Sequence, residues 1–384
     1  MNVVYNSQDE IASNIVKILK KCGISRKTQL NIIPYIIIGM ILSGSTVASD
    51  IARKLKGNFS LIQHDSIIKR IKRFFTNKLF NPYDFYDKII RYVISNYTVK
   101  HSDKRVHIIF DHMFSHDNYT VFMITMRIGK QGIPLWFRCY KGNDDPKAFD
   151  EEMLKQGITY ASSLFPDDYD LIFLADRWFN STSLLNHIDS LGRTYVVRLK
   201  GNIRCFVYDK KEGHKIWKNT GDLFTHESKS TFYDDILITN NQFKTNIVLS
   251  KKKEVKEPWI IATNGDTKRA IKDYGYRFGG IETVFKNQKS NGFYLESTVK
   301  ADIKYFESMY TMACFSVLFL TIFGTDYTKN SKSYKSIKLT THKKIKGVKT
   351  RVMSFFNVGL TLFNKAIDSL KYIRIPYTLK LYDA

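Results

Sequence analysis

The chain has 384 residues, a mass of 44.8 kDa, 43% hydrophobic residues and a formal net charge of +24 at neutral pH. That apolar content excludes wholesale disorder, and the length leaves room for two or three domains with a full core. The charge recurs in every segment and points to a polyanionic partner, since neutralising phosphates releases counterions, with a coding bias toward Lys, Ile, Asn and Tyr as the alternative source. Residues 1 to about 95 read as helical. Ile11, Ile15, Ile18 and Leu19 keep helical spacing, and Ile32 to Leu42 is strongly apolar. Between Gly44 and Phe75, Thr46 or Ser49 can cap a short helix bearing Ile51, Ala52 and Leu55, which Gly57 ends. A second helix from Asp65 sets Ile67, Ile68 and Ile71 on one side and Lys69, Arg70, Lys72 and Arg73 elsewhere. This pair suits a helix-turn-helix-like DNA reader, in which Lys69, Arg70 and Arg73 meet DNA; an ordinary helical bundle is the alternative.

From Arg105 the period changes. VHIIFDHM is a β-branched run that reads as a buried strand ending at Asp111. Two strands joined by a turn at Gly129-Lys130-Gln131-Gly132 follow, then an amphipathic helix from about Ala148 to Leu164. YDLIFLA, from Tyr169 to Ala175, is a second buried strand ending in acid, at Asp176. Thr182 to Leu191 reads as helix and TYVVRL as strand. Residues 202 to about 265 hold short β-like runs (IRCFVY, DDILIT, TNIVLS, WIIAT) between charged turns such as KKEGHK and KKKEVKE, the mark of a β-rich insertion. Helices resume near Thr267 and run to Phe323. Met309 to Phe323, interrupted by Tyr310, Thr311, Ser316 and Thr321, falls short of the ~20 apolar residues that span a bilayer and reads as a core helix. Residues 326 to 384 form a basic C-terminal helical region whose last amphipathic helix lies near Ser354 to Leu370.

Cys22, Cys139, Cys205 and Cys314 form no C-x-x-C pair and read as small buried hydrophobes in a reducing compartment. The opening MNVVYNSQDEIASN has no basic-then-apolar signal pattern. The expectation is a soluble, cytoplasmic, nucleoid-associated protein without a membrane partner.

The chemistry concentrates in three acids. A carboxylate at the end of a buried strand is costly unless paired, so Asp111 and Asp176 both call for a partner, and a divalent cation is the simplest. Downstream, Tyr274 to Glu296 holds a single internal acid, Glu282, in a run of Tyr, Arg and Lys. On a helix Glu282, Phe285, Lys286 and Lys289 share one face, which places ammonium groups beside a carboxylate as a metal site against a phosphate backbone requires. Two Mg²⁺ ions about 4 Å apart, with Mn²⁺ able to substitute, suit three such carboxylates, and phosphodiester cleavage is the matching reaction. For each aspartate taken singly, a strand-end turn former or helix N-cap is the alternative. His112 and His116 have the spacing of a helical zinc pair, but their surroundings read as strand and turn. Trp178 and Trp259 read as core aromatics near the acids, Trp259 alternatively as a ring on which a flipped base stacks. Lys141 to Asp145 reads as a solvated turn.

Three strands, a helix, a strand ending in Asp, a long β insertion and a helix bearing Glu together resemble the ribonuclease-H-like core of DDE transposases, over most of residues 30 to 325. The motifs are most similar to the IS-four family of insertion-sequence transposases, whose Glu motif runs Tyr, two residues, Arg, three residues, Glu, six residues, Lys. Here Tyr274-(2)-Arg277 and Glu282-(6)-Lys289 fit, and LADRWFNS around Asp176 and RLKGN from Arg198 are also similar. Four residues, Phe278 to Ile281, separate Arg277 from Glu282 where the family has three. On an unbroken helix the extra residue turns Arg277 by about 100°, unless Gly279-Gly280 absorbs it. The resemblance implies an α/β fold with a ribonuclease-H-like mixed sheet flanked by helices over residues 96–325. It also implies metal ligation by Asp111, Asp176 and Glu282, and contacts of Tyr274, Arg277 and Lys289 with DNA phosphates or terminal bases. The activity implied is cut-and-paste transposition on double-stranded DNA (terminal inverted repeats and target), with a homodimer in the synaptic complex. An inactive, co-opted DNA-binding protein and a structure-specific nuclease on the same core are the alternatives.

Overall fold

Five helices precede the first strand in the computed structural model, which describes residues 7–97, 104–115, 119–141, 150–209, 212–224, 230–251, 257–289, 292–295, 302–330, 334, 337–345, 347–368, 373, 375–376 and 378–382. They are α1 (Gln8–Lys21), α2 (Lys27–Ser43), α3 (Ala48–Lys54), α4 (His64–Phe75) and α5 (Pro82–Ser95). Ser7 and Glu10 form a reciprocal capping box on α1, and the Asn81 side chain caps α5 just before its first-turn proline. Neither Thr46 nor Ser49 caps α3. Ser45 orders that start instead, its Oγ accepting from the Val47 amide at 3.1 Å and donating to Asp50 at 2.9 Å. On α4 the expected division holds: Ile67 and Ile71 are buried, Ile68 is half-buried, and Lys69, Arg70, Lys72 and Arg73 are exposed.

The strands and helices that follow are β1 (Arg105–Ser115), β2 (Tyr119–Ile128), β3 (Gln131–Lys141), α6 (Glu151–Ser163), β4 (Asp170–Ala175), α7 (Thr182–Ser190) and β5 (Thr194–Arg198). β1 runs antiparallel to β2 and parallel to β4, β2 antiparallel to β3, and β4 parallel to β5, in the spatial order β3-β2-β1-β4-β5. That order and those directions make a ribonuclease-H-like core. Its central strands are apolar on both faces, as strands covered on both sides must be.

The β-rich stretch is not a separate layer. β6 (Arg204–Asp209), β7 (His214–Asn219), β8 (Thr231–Ile238), β9 (Phe243–Ser250) and β10 (Trp259–Thr263) extend the same sheet, with β10 antiparallel to β5. The whole is a mixed sheet of ten strands among the described residues, flanked by helices. β7 begins inside the KKEGHK run expected as a charged turn.

The helical stretch from Thr267 is divided into α8 (Thr267–Gly275), α9 (Ile281–Lys289) and α10 (Ile303–Lys329). α10 is long and apolar enough to cross a membrane by composition, yet 94% of its most apolar window is buried inside the protein. It packs on β3, α2, α4 and α5. The Phe85 and Phe315 rings meet edge-on at 6.2 Å, and the Tyr86 hydroxyl donates to the Pro134 carbonyl at 3.0 Å. The N-terminal helices thus share a core with the sheet. Beyond α10, the region expected to be helical holds a basic hairpin, β11 (His342–Ile345) and β12 (Val348–Arg351), before α11 (Phe355–Asp368). All four cysteines are buried and free.

Candidate active site

The parallel ladder between β1 and β4 ends at the pair Ile109 and Leu174. Asp111 lies two residues further along β1, but β1 does not end there. It continues to Ser115 against β2, with Asp111 opposite Met123. The sequence places Asp111 at a strand end because the apolar run stops; the antiparallel partner carries the strand on. Asp176 directly follows the last residue of β4, and its Oδ1 accepts from the Arg177 amide at 2.7 Å. This bond opens a single 3₁₀ turn, Arg177–Phe179, anchored by the buried Phe179 ring stacked on His112 at 4.9 Å.

Glu282 stands in the first turn of α9. Between α8 and α9 the chain makes a second 3₁₀ turn, Tyr276–Gly279, and breaks at Gly280 (φ −110°, ψ −93°). The extra residue of the Arg-to-Glu spacing is taken up at this break. Thr283 fastens the new helix, donating to the Gly280 carbonyl at 2.6 Å and accepting from the Gly132 amide at 3.3 Å. Gly132 is itself required there, because a Cβ on it would lie 2.8 Å from the Gly280 oxygen.

These three positions converge on one guanidinium. Arg277 Nη2 donates to Asp111 Oδ2 at 2.5 Å and stands 3.8 Å from Asp176 Oδ2, while its Nη1 is 3.7 Å from Glu282 Oε1. The Arg277 side chain is 8% exposed and that of Glu282 50%, so the cluster opens to solvent on the Glu282 side. Burial pushes the Asp111 carboxyl above its ordinary value, against the pull of Arg277, and burial likewise raises Glu282. Around them, Arg198 at the end of β5 stands 4.0 Å from Asp176 and binds Glu257 at 2.7 Å, which Arg177 also reaches at 3.1 Å.

The carboxylates suit a cation, since a cationic group already stands among them. Spread around that group they are not drawn to a metal ion's own coordination distances, and no such set of three exists among the described residues.

Elsewhere on β1, Asp273 of α8 accepts from Arg105 at 2.7 Å and from His107 at 2.9 Å, tying α8 to the strand. Arg105 also reaches Asp170 on β4 at 2.6 Å.

The other expected residues fall in different places. Tyr274, expected at a DNA phosphate or terminal base, is fully buried, its hydroxyl without a hydrogen-bond partner among the described residues. Arg277, for which the same contact is expected, faces the three carboxylates in this structure. Trp259 is half-buried, stacked on Phe278 at 5.6 Å and meeting Tyr274 edge-on at 5.0 Å. Trp178, expected in the core, is 77% exposed, with the Lys200 ammonium 5.7 Å from its ring. Lys286 projects from α9 into solvent and Lys289 is half-buried; Lys69, Arg70 and Arg73 stand on the open face of α4. His112 is held neutral by burial, its pKa pushed down to about 4, while His116 and residues 142–145 lie outside the described residues. Arg198, Glu257 and Phe278 also stand around the site, beyond the residues expected there. Arg198 had a signal in the RLKGN run, whereas Glu257 stood inside a charged turn with none.

No protein-family model matches the chain, and no curated protein sequence does. Among solved structures, the chain is similar to a piggyBac transposase in a synaptic complex with hairpin DNA. The identity is 16%, over 94% of this chain and 78% of that one, with a TM-score of 0.49.

Proposed function

We propose that the chain is a DNA transposase of the DDE type, similar to the IS-four family, and that Asp111, Asp176 and Glu282 are its catalytic carboxylates. The observation that carries this reading is the meeting on one cationic group of three acids, from β1, from the residue after β4 and from α9, beside the central strands of a ribonuclease-H-like sheet. Bound by these three residues, Mg²⁺ or Mn²⁺ ions would activate water or a 3′-hydroxyl and stabilise the leaving oxygen.

The rest of the chemistry belongs to side chains. Asp111 and Asp176, fixed by the strands that carry them, set the positions of the ligands, and Glu282 closes the group from the open side. Lys286 and Lys289 follow Glu282 along α9 by one and two helical turns, where phosphates of a bound strand meet ammonium groups. Lys69, Arg70 and Arg73 on α4 bind the terminal repeats. Pairing of two ends implies a homodimer when assembled. A nucleoid-associated cytoplasmic site of action fits such a substrate.

The test is metal-dependent cleavage of a duplex carrying the inverted repeats that flank the reading frame. Asp111→Ala, Asp176→Ala and Glu282→Ala are each expected to abolish cleavage and strand transfer while DNA binding persists. Cleavage undiminished in all three variants would remove the assignment. One observation favours a second reading, a DNA-binding protein that no longer cuts: Arg277 stands where a cation would be held. Absence of cleavage with Mg²⁺ and with Mn²⁺, on DNA that the chain binds, would select it.

A further inference from the structure

Arg277 is a poorly satisfied arginine for its depth. A guanidinium has five N–H donors, yet among the described residues only one hydrogen bond is made, from Nη2 to Asp111. The approaches to Asp176 and Glu282, at 3.8 and 3.7 Å, are ion pairs without hydrogen bonds, and the buried Nε has no partner among the described residues. A buried arginine serving only as a structural pin spends its donors on fixed acceptors, as a buried ion pair must to offset desolvation. Arg277 spends them on carboxylates that diverge around it. Its route outward is short, because Glu282, the outermost of the three, is half-exposed, and the Arg277 guanidinium already stands 5.8 Å from the ring of Phe278, which is 45% exposed.

We infer that Arg277 is a resident counter-cation, a positioning residue that holds the three carboxylates together in the metal-free chain and leaves them when a divalent ion binds. The inference rests on the assignment of those carboxylates as metal ligands. Without Arg277, three acids on two strands and a helix would repel one another. With it, they stay gathered, but the guanidinium and a divalent ion compete for the same oxygens. Displaced, the side chain swings past Glu282 to the open side, where an incoming phosphate would receive it. Metal entry and the delivery of Arg277 to the phosphate are then one event, and each favours the other by linkage.

Two measurements on the full chain test this, both with Mn²⁺ as the probe. In the first, Mn²⁺ binding is followed by electron paramagnetic resonance in wild type, Arg277→Gln and Arg277→Lys. Competition predicts tighter binding by Arg277→Gln, on the order of tenfold, with Arg277→Lys in between. Equal affinity, or weaker binding by Arg277→Gln, would overturn the inference and leave the metal site standing. If neither wild type nor Arg277→Gln binds Mn²⁺, the metal assignment falls and the inference with it. The second measurement needs no variant. Phenylglyoxal labelling read by peptide mass spectrometry is expected to spare Arg277 in the metal-free chain and to modify it at saturating Mn²⁺. An Arg277 equally protected in both states would refute the displacement.

Discussion

Gly280 and Ile109 approach so closely that a Cβ built on Gly280 would lie 2.1 Å from Ile109 Cδ1. Ile109 is fully buried and stands two residues before Asp111, so this contact seats the α8–α9 junction on β1 and sets where Arg277 and Glu282 fall.

Gly280→Ala therefore overpacks the junction. Such insertions cost about 1–3 kcal/mol, and the shift of α9 is expected to lower cleavage as well as stability. Gly279→Ala is the control, since its nearest new neighbour would stand 3.7 Å away. Thermal melts of the two variants decide the matter; equal melting temperatures would show that the junction has slack.

The group of Asp273, Arg105 and His107 makes stability depend on pH. Burial pushes His107 below its ordinary value of 6.5. Burial also pushes Asp273 upward, but the hydrogen bond from His107 and the charge of Arg105 outweigh it and hold the carboxyl below 3.8. Both groups thus bind fewer protons folded than unfolded, so their contribution is full above about pH 6.5 and falls as the solution is acidified. Loss begins with His107 below its unfolded value and continues with Asp273 below 3.8. Asp273→Asn should cost about 3–5 kcal/mol, as breaking a buried pair does, and toward the lower end because Arg105 keeps Asp170. Urea unfolding across this range tests both; a wild-type curve that rises on acidification contradicts the assignment.

The basic face of α4 is a matter of affinity and not of folding. Lys69, Arg70 and Arg73 are exposed, and their replacement by Gln should leave the melting temperature nearly unchanged, as surface changes do. If each meets a phosphate, the slope of log K against log salt should shrink by roughly one per residue removed. A salt slope unchanged in the triple variant would mean that α4 does not touch DNA.

What could be read from residue order and what could not divide along physical lines. β1 and β4 were legible because apolar runs such as IIF and LIFLA fit a strand buried on both faces, and each gives way to an acid. β7 was not, because HKIWKN has charged ends and no buried residue to mark a face. The joining of β10 to β5 was equally hidden, since that pairing is long-range and local patterns say only that each is a strand. In the site, the acids were visible from their contexts, but the bearing of Arg277 depended on the backbone at Gly280. The two tryptophans make the same point. Trp178 stands in the open and Trp259 packs on Phe278, a difference set by tertiary neighbours and not by residue type.

Asp111 offers the sharpest separation of stability from activity. Its carboxyl is raised by burial even with Arg277 beside it, while Asp111 raises the Arg277 guanidinium against that group's own burial, so the pair offsets the cost of burying it only in part. Asp111→Asn removes that charge and keeps the shape, while Arg277 retains Asp176 and Glu282 as neighbours. The variant keeps an oxygen for the Arg277 donor and should therefore lose less than the about 3–5 kcal/mol of a fully broken buried pair in the absence of metal, while cleavage should be lost. Added Mn²⁺ should raise the wild-type melting temperature more than the variant's, because stabilisation by a ligand follows its affinity for the native state. A variant that melts well below wild type without metal would show that the Arg277–Asp111 pair is a structural bond of the fold, and that the acid is not held there for its chemistry.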